Sequence, residues 1–365
     1  MSHEDYHALA PFQWLGRAGE KPADTRFFAE GGFYHADRKA RFVATPFRAP
    51  AARTNDAYPF VLNTGRMRDQ WHTMTRTAKT PRLMAHIGEP FVEIHPDDAK
   101  SIGVKLADLA EIESAHGRVV LRVVVTERQR RGSLFAPMHW TEQHASLARV
   151  DALVDAATDS VSGQSELKVT AVSAKRFPAA WCAFAASRAA LATTDADYFA
   201  IARARGGWRS ELAGLVEPSD WTAFARATLG LGDGTEIIAY HDAASGQRRF
   251  VAFEGETFAG ELFAAREPVA ASRSWLTERL GERIIPQDRL RLLAGRPGAE
   301  ARDRSPTVCA CLDVGRNEIL EAAARGCATI AAMGERLKAG TNRGSCRGEI
   351  AKLIEPVAER CIRAM

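Results

Sequence analysis

LNTGRMRDQWHTMTRT, residues 62 to 77, is the stretch on which the reading of this chain turns. It closes an apolar strand in Asn63-Thr64-Gly65, where glycine lets the backbone turn tightly and present N–H groups. Arg66, Arg68, His72 and Arg76 follow at once, together with four threonines. Arginine forks, hydroxyls and an imidazole suit phosphate oxygens, and Trp71 offers a flat apolar face to a heterocycle. The same residues would also serve as a solvated loop after a strand, so this stretch alone leaves both readings open.

On either side the texture is that of short strands. "PFVEIHP", "LAEIESAHGRVVLRVVVT" and "GSLFAPMHW" are β-rich runs separated by Gly, Pro and Asp turns, which predicts a mainly β barrel or sandwich from about residue 55 to 175. "LAEIES" and "RVVLRVVVT" flank "AHG" as two strands with a tight turn. The run ending at Pro137 leads into His139 and Trp140, a pair that also suits a packed loop. "DALVDAATDSVSGQSELKVTAV" is a polar loop carrying Asp151, with Lys168 just before an alternating strand; taken alone, Lys168 reads as a solvated charge.

Residues 1 to 54 read as a lead-in rich in Pro, Ala and Arg, with "DTRFFAEGGFYHADRKARFVA" expected as a hairpin. Around residue 176 the pattern shifts to helices, among them "PSDWTAFARATLG" with Ser219 as its N-cap. "TEIIAYHDAASGQRRFVAFEGETFAGELFAARE" then supplies three strands, so residues 176 to 303 form a small α+β domain ending in the linker "AGRPGAEARDRSPT". From 304 to 365 short helices dominate, the last placing Ile350, Leu353, Ile354, Val357 and Cys361 on one face.

The chain has 365 residues, 46% hydrophobic and 26% charged, with 49 basic against 45 acidic side chains spread without runs. That composition is ordinary for globular protein and points neither to nucleic acid nor to a membrane surface. No apolar run reaches the length of a spanning helix, and "MSHEDYHALA" lacks the features of a signal peptide, so the expected compartment is the cytoplasm. Of six cysteines, only Cys182 lies before Cys309; Cys309, Cys311, Cys327, Cys346 and Cys361 cluster at the end. Clustered cysteines without a secretion signal are more often metal ligands or thiols than disulfides.

Taken together, "TGR…QWHTMT", "APMHW" and "DALV…ATD…SGQ…K" closely resemble the C-terminal cofactor-binding domain of molybdopterin oxidoreductases of the dimethyl sulfoxide reductase superfamily, above all assimilatory nitrate reductases. The resemblance includes the "YHALAPFQW" opening and covers nearly the whole chain. It implies a mixed fold: a double-psi β-barrel, a small α+β domain and a short all-α [2Fe-2S]-type module like that of bacterioferritin-associated ferredoxin. It also implies that Thr64, Gly65, Arg66, Met67, Arg68, Asp69, Gln70, Trp71, His72 and Thr73 line a molybdopterin guanine dinucleotide, with His139, Trp140, Asp151 and Lys168. Asp151 departs from the asparagine of related periplasmic enzymes; an ionised carboxylate accepts but cannot donate.

In the C-terminal module the family pattern is C-x-C, a helical stretch, then C-x-x-C. Cys309, Cys311 and Cys346 match three of its ligands, and Arg343 stands in the fourth place. A guanidinium stays protonated and has no lone pair for iron. Cys327 and Cys361 are possible substitutes, although both also read as small buried helical residues. The family's molybdenum ligand, its [4Fe-4S] cluster and much of its dinucleotide site lie in a large N-terminal part that nothing here matches. The expectation is therefore the C-terminal portion of a nitrate reductase, inactive alone, that binds the dinucleotide and relays electrons from a flavin or ferredoxin donor for the reduction of nitrate to nitrite, and that needs a separate N-terminal chain. The rivals are a product of a truncated or split gene and a structural zinc module, since three cysteines plus one further ligand can satisfy zinc.

Overall fold

The structure, a computed structural model, describes residues 2–8, 26–193, 195–297, 307–309, 312, 314–341 and 346–363. It divides into two units, residues 1–49 and 50–365. In the first, α1 (His3–His7) is capped reciprocally by Ser2 and Asp5. The hairpin expected after residue 24 does not form: the described part, from Arg26, holds no strand. Gly31 and Gly32 both take positive φ, and Phe42 and Phe47 stay exposed. A two-stranded hairpin with no third strand or helix to bury its apolar face is marginal in water.

In the second unit, β1 (Phe60–Gly65), α2 (Pro81–Met84), β2 (Phe91–Ile94), α3 (Pro96–Ser101), β3 (Leu109–Glu113), β4 (Arg118–Val125), β5 (Ser133–Pro137) and β6 (Thr170–Arg176) build a closed barrel in the order β1-β5-β2-β4-β3-β6. This closed barrel of six strands bears out the β-barrel that the resemblance implied. Closure leaves no free edge, and inward residues such as Leu62, Ile94, Leu121, Leu134 and Val172 fill the interior. The decisive pairing is β1 parallel to β5, with Thr64 opposite Ala136 and Gly65 opposite Pro137. Two parallel neighbours end on the same side, so the loops after Gly65 and after Pro137 leave the barrel side by side. Glycine is required at 65 because a Cβ there would lie 2.4 Å from the Phe135 ring.

A six-stranded sheet follows, from β7 (Trp181–Ser187), β8 (Tyr198–Ala204), β9 (Gly207–Gly214), β10 (Glu236–Asp242), β11 (Gln247–Glu254) and β12 (Thr257–Ala265), in the order β10-β11-β12-β7-β9-β8. The shift to helices expected near residue 176 is corrected: three strands precede α4 (Trp221–Leu229). Its cap is Asp220, which accepts from Thr222 and Ala223 N–H at 2.8 and 3.0 Å, not Ser219. Strand β7, WCAFAAS, is buried at every position and so lacks the alternation that marks a half-exposed strand. Helix α4 packs on one apolar layer with Trp181, Leu212 and Leu262. On the other, α5 (Arg273–Glu278) and α6 (Pro286–Leu293) cover Phe184, Phe253 and Phe263.

Glu261 of β12 sits within that second layer. It is fully buried, neither carboxyl oxygen has a hydrogen-bond partner among the described residues, and burial pushes its pKa well above the usual range. A raised folded-state pKa means that its protonated form contributes fully below the unfolded pKa and that stability is lost as pH rises toward the folded value. Urea midpoints of the wild type and Glu261→Gln should therefore diverge with pH, the wild type losing up to about 1.4 kcal/mol per unit above the ordinary Glu range. Curves that stay parallel from about pH 5 to 8 would refute this.

The last part holds a short ribbon, β13 (Thr307–Cys309) with β14 (Val314–Gly315), then α7 (Arg316–Ala324), α8 (Ile330–Leu337) and α9 (Arg347–Arg363). The ribbon is an addition to the expected helices. Glu318 accepts from the Gly315 N–H at 3.0 Å and closes the start of α7. Val308, Ile319, Met333, Ile350 and Ile354 form the core. Cys327, expected on a helix, lies in the connection between α7 and α8, buried in that core. Among the described residues no helix is long and apolar enough to cross a membrane.

Candidate functional site

The parallel exit of β1 and β5 brings the two sequence-predicted loops together. The Met138 N–H donates to Gly65 O at 3.0 Å, and the Met67 N–H donates to His139 Nε2 at 2.8 Å. Because Nε2 accepts, the neutral ring carries its proton on Nδ1. Burial holds His139 below its usual pKa, with nearby His72 and Arg66 pressing the same way and the Trp71 backbone carbonyl pulling against them. That carbonyl lies close to Nδ1 without a well-formed hydrogen bond, and His139 Nδ1, Trp140 Nε1 and Thr141 Oγ1 are all buried with no partner in good geometry among the described residues. Three consecutive unpaired polar atoms, two of them pure donors here, are costly unless a ligand supplies acceptors. This is the chemistry that carbonyl and phosphate oxygens of a pterin dinucleotide would satisfy, and the residues present fit the group.

The rest of the cradle is pinned from below. Thr64 Oγ1 donates to Leu167 O at 2.6 Å, and Lys168 Nζ donates back to Thr64 O, so the loop before β6 is tied to the end of β1. Gln70 is buried and accepts from Thr77 Oγ1 at 2.7 Å, which makes it a loop brace. Trp71 is 60% exposed, free to cover a flat ring, and His72 is also exposed. Thr73 and Met74 both adopt positive φ, a conformation L-residues rarely take and which concentrates at ligand-binding loops. Asp151 stands apart: it is exposed on a short 3-10 turn, Val150–Leu153, with no hydrogen bond to the β1 loop among the described residues.

Arg68 and Asp69 turn toward the C-terminal module. Arg68 donates to Val308 O, its Nη1 lies 2.9 Å from Glu349 Oε2, and its Nε lies 3.0 Å from Asp69 Oδ2. His86 joins them, with Nδ1 2.6 Å from Asp69 Oδ2 and Nε2 3.7 Å from Glu349 Oε2. Burial would push Asp69 up, but the contacts from His86 and Arg68 hold its carboxyl below the usual range. Beyond Arg68, Cys309 and Cys346 are buried and their sulfurs interact; burial and Cys309 push the Cys346 thiol up to about 11, against the pull of Arg68. A buried thiol pair in one small core fits iron ligation once deprotonated. Cys311 and Arg343 lie outside the described residues, as does the side chain of Cys361.

Sequence reasoning missed His86 and Glu349, which carry no motif. It also missed a buried ionic cluster beside a cavity of about 860 Å³ between the barrel and the sheet. There Arg122 donates to Glu89 at 2.6 and 2.9 Å, Tyr198 Oη donates to Glu89 at 2.8 Å, and Arg273 grips Glu211 at 2.6 and 2.9 Å. Burial pushes Arg209 down, while Arg273, Arg122 and Arg209 together hold Glu211 below its usual range against its own burial.

Residues 60–171 match the Molydopterin dinucleotide binding domain, and residues 307–356 match the BFD-like [2Fe-2S] binding domain. Over these residues the chain is thus similar to a molybdopterin-dinucleotide-binding domain followed by a [2Fe-2S] module. Its relatives narrow this likeness. It is 37% identical over 364 residues to "Nitrate reductase" of Klebsiella oxytoca, covering 97% of this chain and 40% of that protein. It is 39% identical over 157 residues to "Nitrate reductase" of Symbiobacterium thermophilum, covering 41% and 20% respectively. It is 32% identical over 161 residues to the "Assimilatory nitrate reductase catalytic subunit" of Bacillus subtilis, covering 44% and 22%. The chain therefore spans 40% or less of the length of each of these relatives.

Proposed function

We propose that this chain acts as the cofactor-holding and electron-accepting portion of a cytoplasmic, assimilatory-type nitrate reductase. The observation that carries the reading is buried His139, held to the Arg66–Thr73 loop by the Met67 N–H where β1 and β5 end side by side, with the next residue's Trp140 Nε1 also lacking a partner among the described residues. In this reading the barrel loops hold a molybdopterin guanine dinucleotide, and the [2Fe-2S] module receives electrons from a flavin or ferredoxin donor. Molybdenum, when bound through the pterin, supplies oxygen-atom transfer from nitrate. The chain's own residues bind and orient: His139 and Trp140 donate, Arg66 and His72 add cationic and neutral donors, and Trp71 covers a ring face. The molybdenum ligand itself comes from an N-terminal part supplied in the same assembly.

Replacing Arg66 and His72 together by Ala in the reconstituted enzyme should lower retained dinucleotide at least about tenfold, since charge-assisted contacts contribute roughly 1.5–3 kcal/mol each. Far-ultraviolet circular dichroism should show the barrel still folded. Unchanged pterin content on a folded protein would mean that residues 64 to 73 are a surface loop.

A further inference from the structure

We infer that Arg68 is a positioning residue that seats the iron–sulfur module on the pterin-binding loop and offsets the acidic charge beside the cluster, providing the connection between the two cofactor sites. The inference deepens the reading above and rests on it for its redox half only.

Arg68 lies in the middle of the loop that the sequence assigns to the pterin, yet its guanidinium is spent on the other module. It reaches the carbonyl of Val308, the residue before Cys309, and the carboxylate of Glu349, three residues after Cys346. One side chain thus contacts the two segments that carry Cys309 and Cys346. Going the other way, the Arg68 backbone continues into Met67, whose N–H donates to His139 Nε2 at 2.8 Å. A connected path of covalent and hydrogen bonds therefore runs from Val308 through Arg68 and Met67 to the turn that holds the unpaired donors. His86 braces the junction by touching both Asp69 and Glu349.

The charges give the junction a redox sense. A [2Fe-2S] cluster gains one negative charge on reduction, and nearby net charge sets its potential. Asp69 and Glu349 would disfavour that electron, and Arg68, between them, offsets both. Removing the cation should make reduction harder, whereas neutralising Glu349 should make it easier. A purely structural tie would not give shifts of opposite sign.

The test uses the full chain with Arg68→Met and Glu349→Gln. Without iron, hydrogen exchange at residues 66–70 and 346–352 should quicken at least tenfold in both variants; unchanged exchange in both overturns the docking role. With the cluster loaded, dye-equilibrated redox titration should move the reduced-to-oxidised ratio at fixed potential about tenfold, or about 59 mV, down for Arg68→Met and up for Glu349→Gln. Shifts in the same direction, or none, overturn the electrostatic role. Should neither the wild type nor Arg343→Cys retain pterin or cluster, the reading of function fails, while the exchange measurement still decides whether Arg68 docks the module.

Discussion

Arg343→Cys should raise iron and sulfide content several-fold and strengthen the visible and electron-paramagnetic signals of the [2Fe-2S] cluster. Cys309 and Cys346 are already side by side in a buried core, and Cys311 completes three family positions. A fourth thiolate adds both negative charge and a soft donor, neither of which a protonated guanidinium can offer. In the unmodified chain the cluster should be substoichiometric or easily lost. A full and stable cluster in anaerobically isolated wild type would show that another group is the ligand. Cys327 then becomes the first candidate for substitution, since it is buried in the same core as Cys309 and Cys346, and Cys361 the second. Equal zinc binding by both forms, with no iron in either, would replace the electron-transfer reading with a structural metal module.

Glu211→Ala should cost about 3–5 kcal/mol of stability, the usual penalty for stranding a buried charge. Glu211 is gripped at both oxygens by Arg273 and faces Arg122 and Arg209, so its removal leaves three guanidinium groups with Glu89 alone. Urea unfolding should show the loss as a lower midpoint. The double variant Glu211→Leu with Arg273→Met should lose less than the two single variants combined, because the second change removes the stranded charge that the first creates. A loss below about 1 kcal/mol for Glu211→Ala would mean that water reaches the cluster through the adjoining cavity and screens it.

Much of this architecture was legible before any coordinates. The β-rich runs at 91–94, 109–113, 118–125 and 133–137, bounded by turn residues, marked barrel strands, and the three strands after residue 235 were legible in the same way. Local pattern misled where its signal was ambiguous. Strand β7 is apolar at nearly every position and carries no alternation, and the aromatic residues near 27 to 34 form no hairpin, because no third element among the described residues stacks on them. At the end of the chain, Cys327 fitted a helical face, but α7 stops at Ala324 and the cysteine is buried in the connection instead.

The residue types at 64–73, 139–140 and 309–346 told the chemistry: phosphate-suited donors, a flat aromatic and soft thiols. Those choices are local, since each residue's donors, charge and softness are set by its own side chain. Which of them share a site was decided only by long-range pairing. The parallel match of β1 with β5 set His139 beside Met67, and packing of the C-terminal module drew Arg68 from the pterin loop to Val308 and Glu349. Long-range packing likewise left Asp151 in solvent, and it assembled Glu89, Arg122, Tyr198, Glu211 and Arg273 from a loop, three strands and a helix into one largely buried network. Burial and register depend on partners from 72 to 240 residues away, and no window of sequence carries that information.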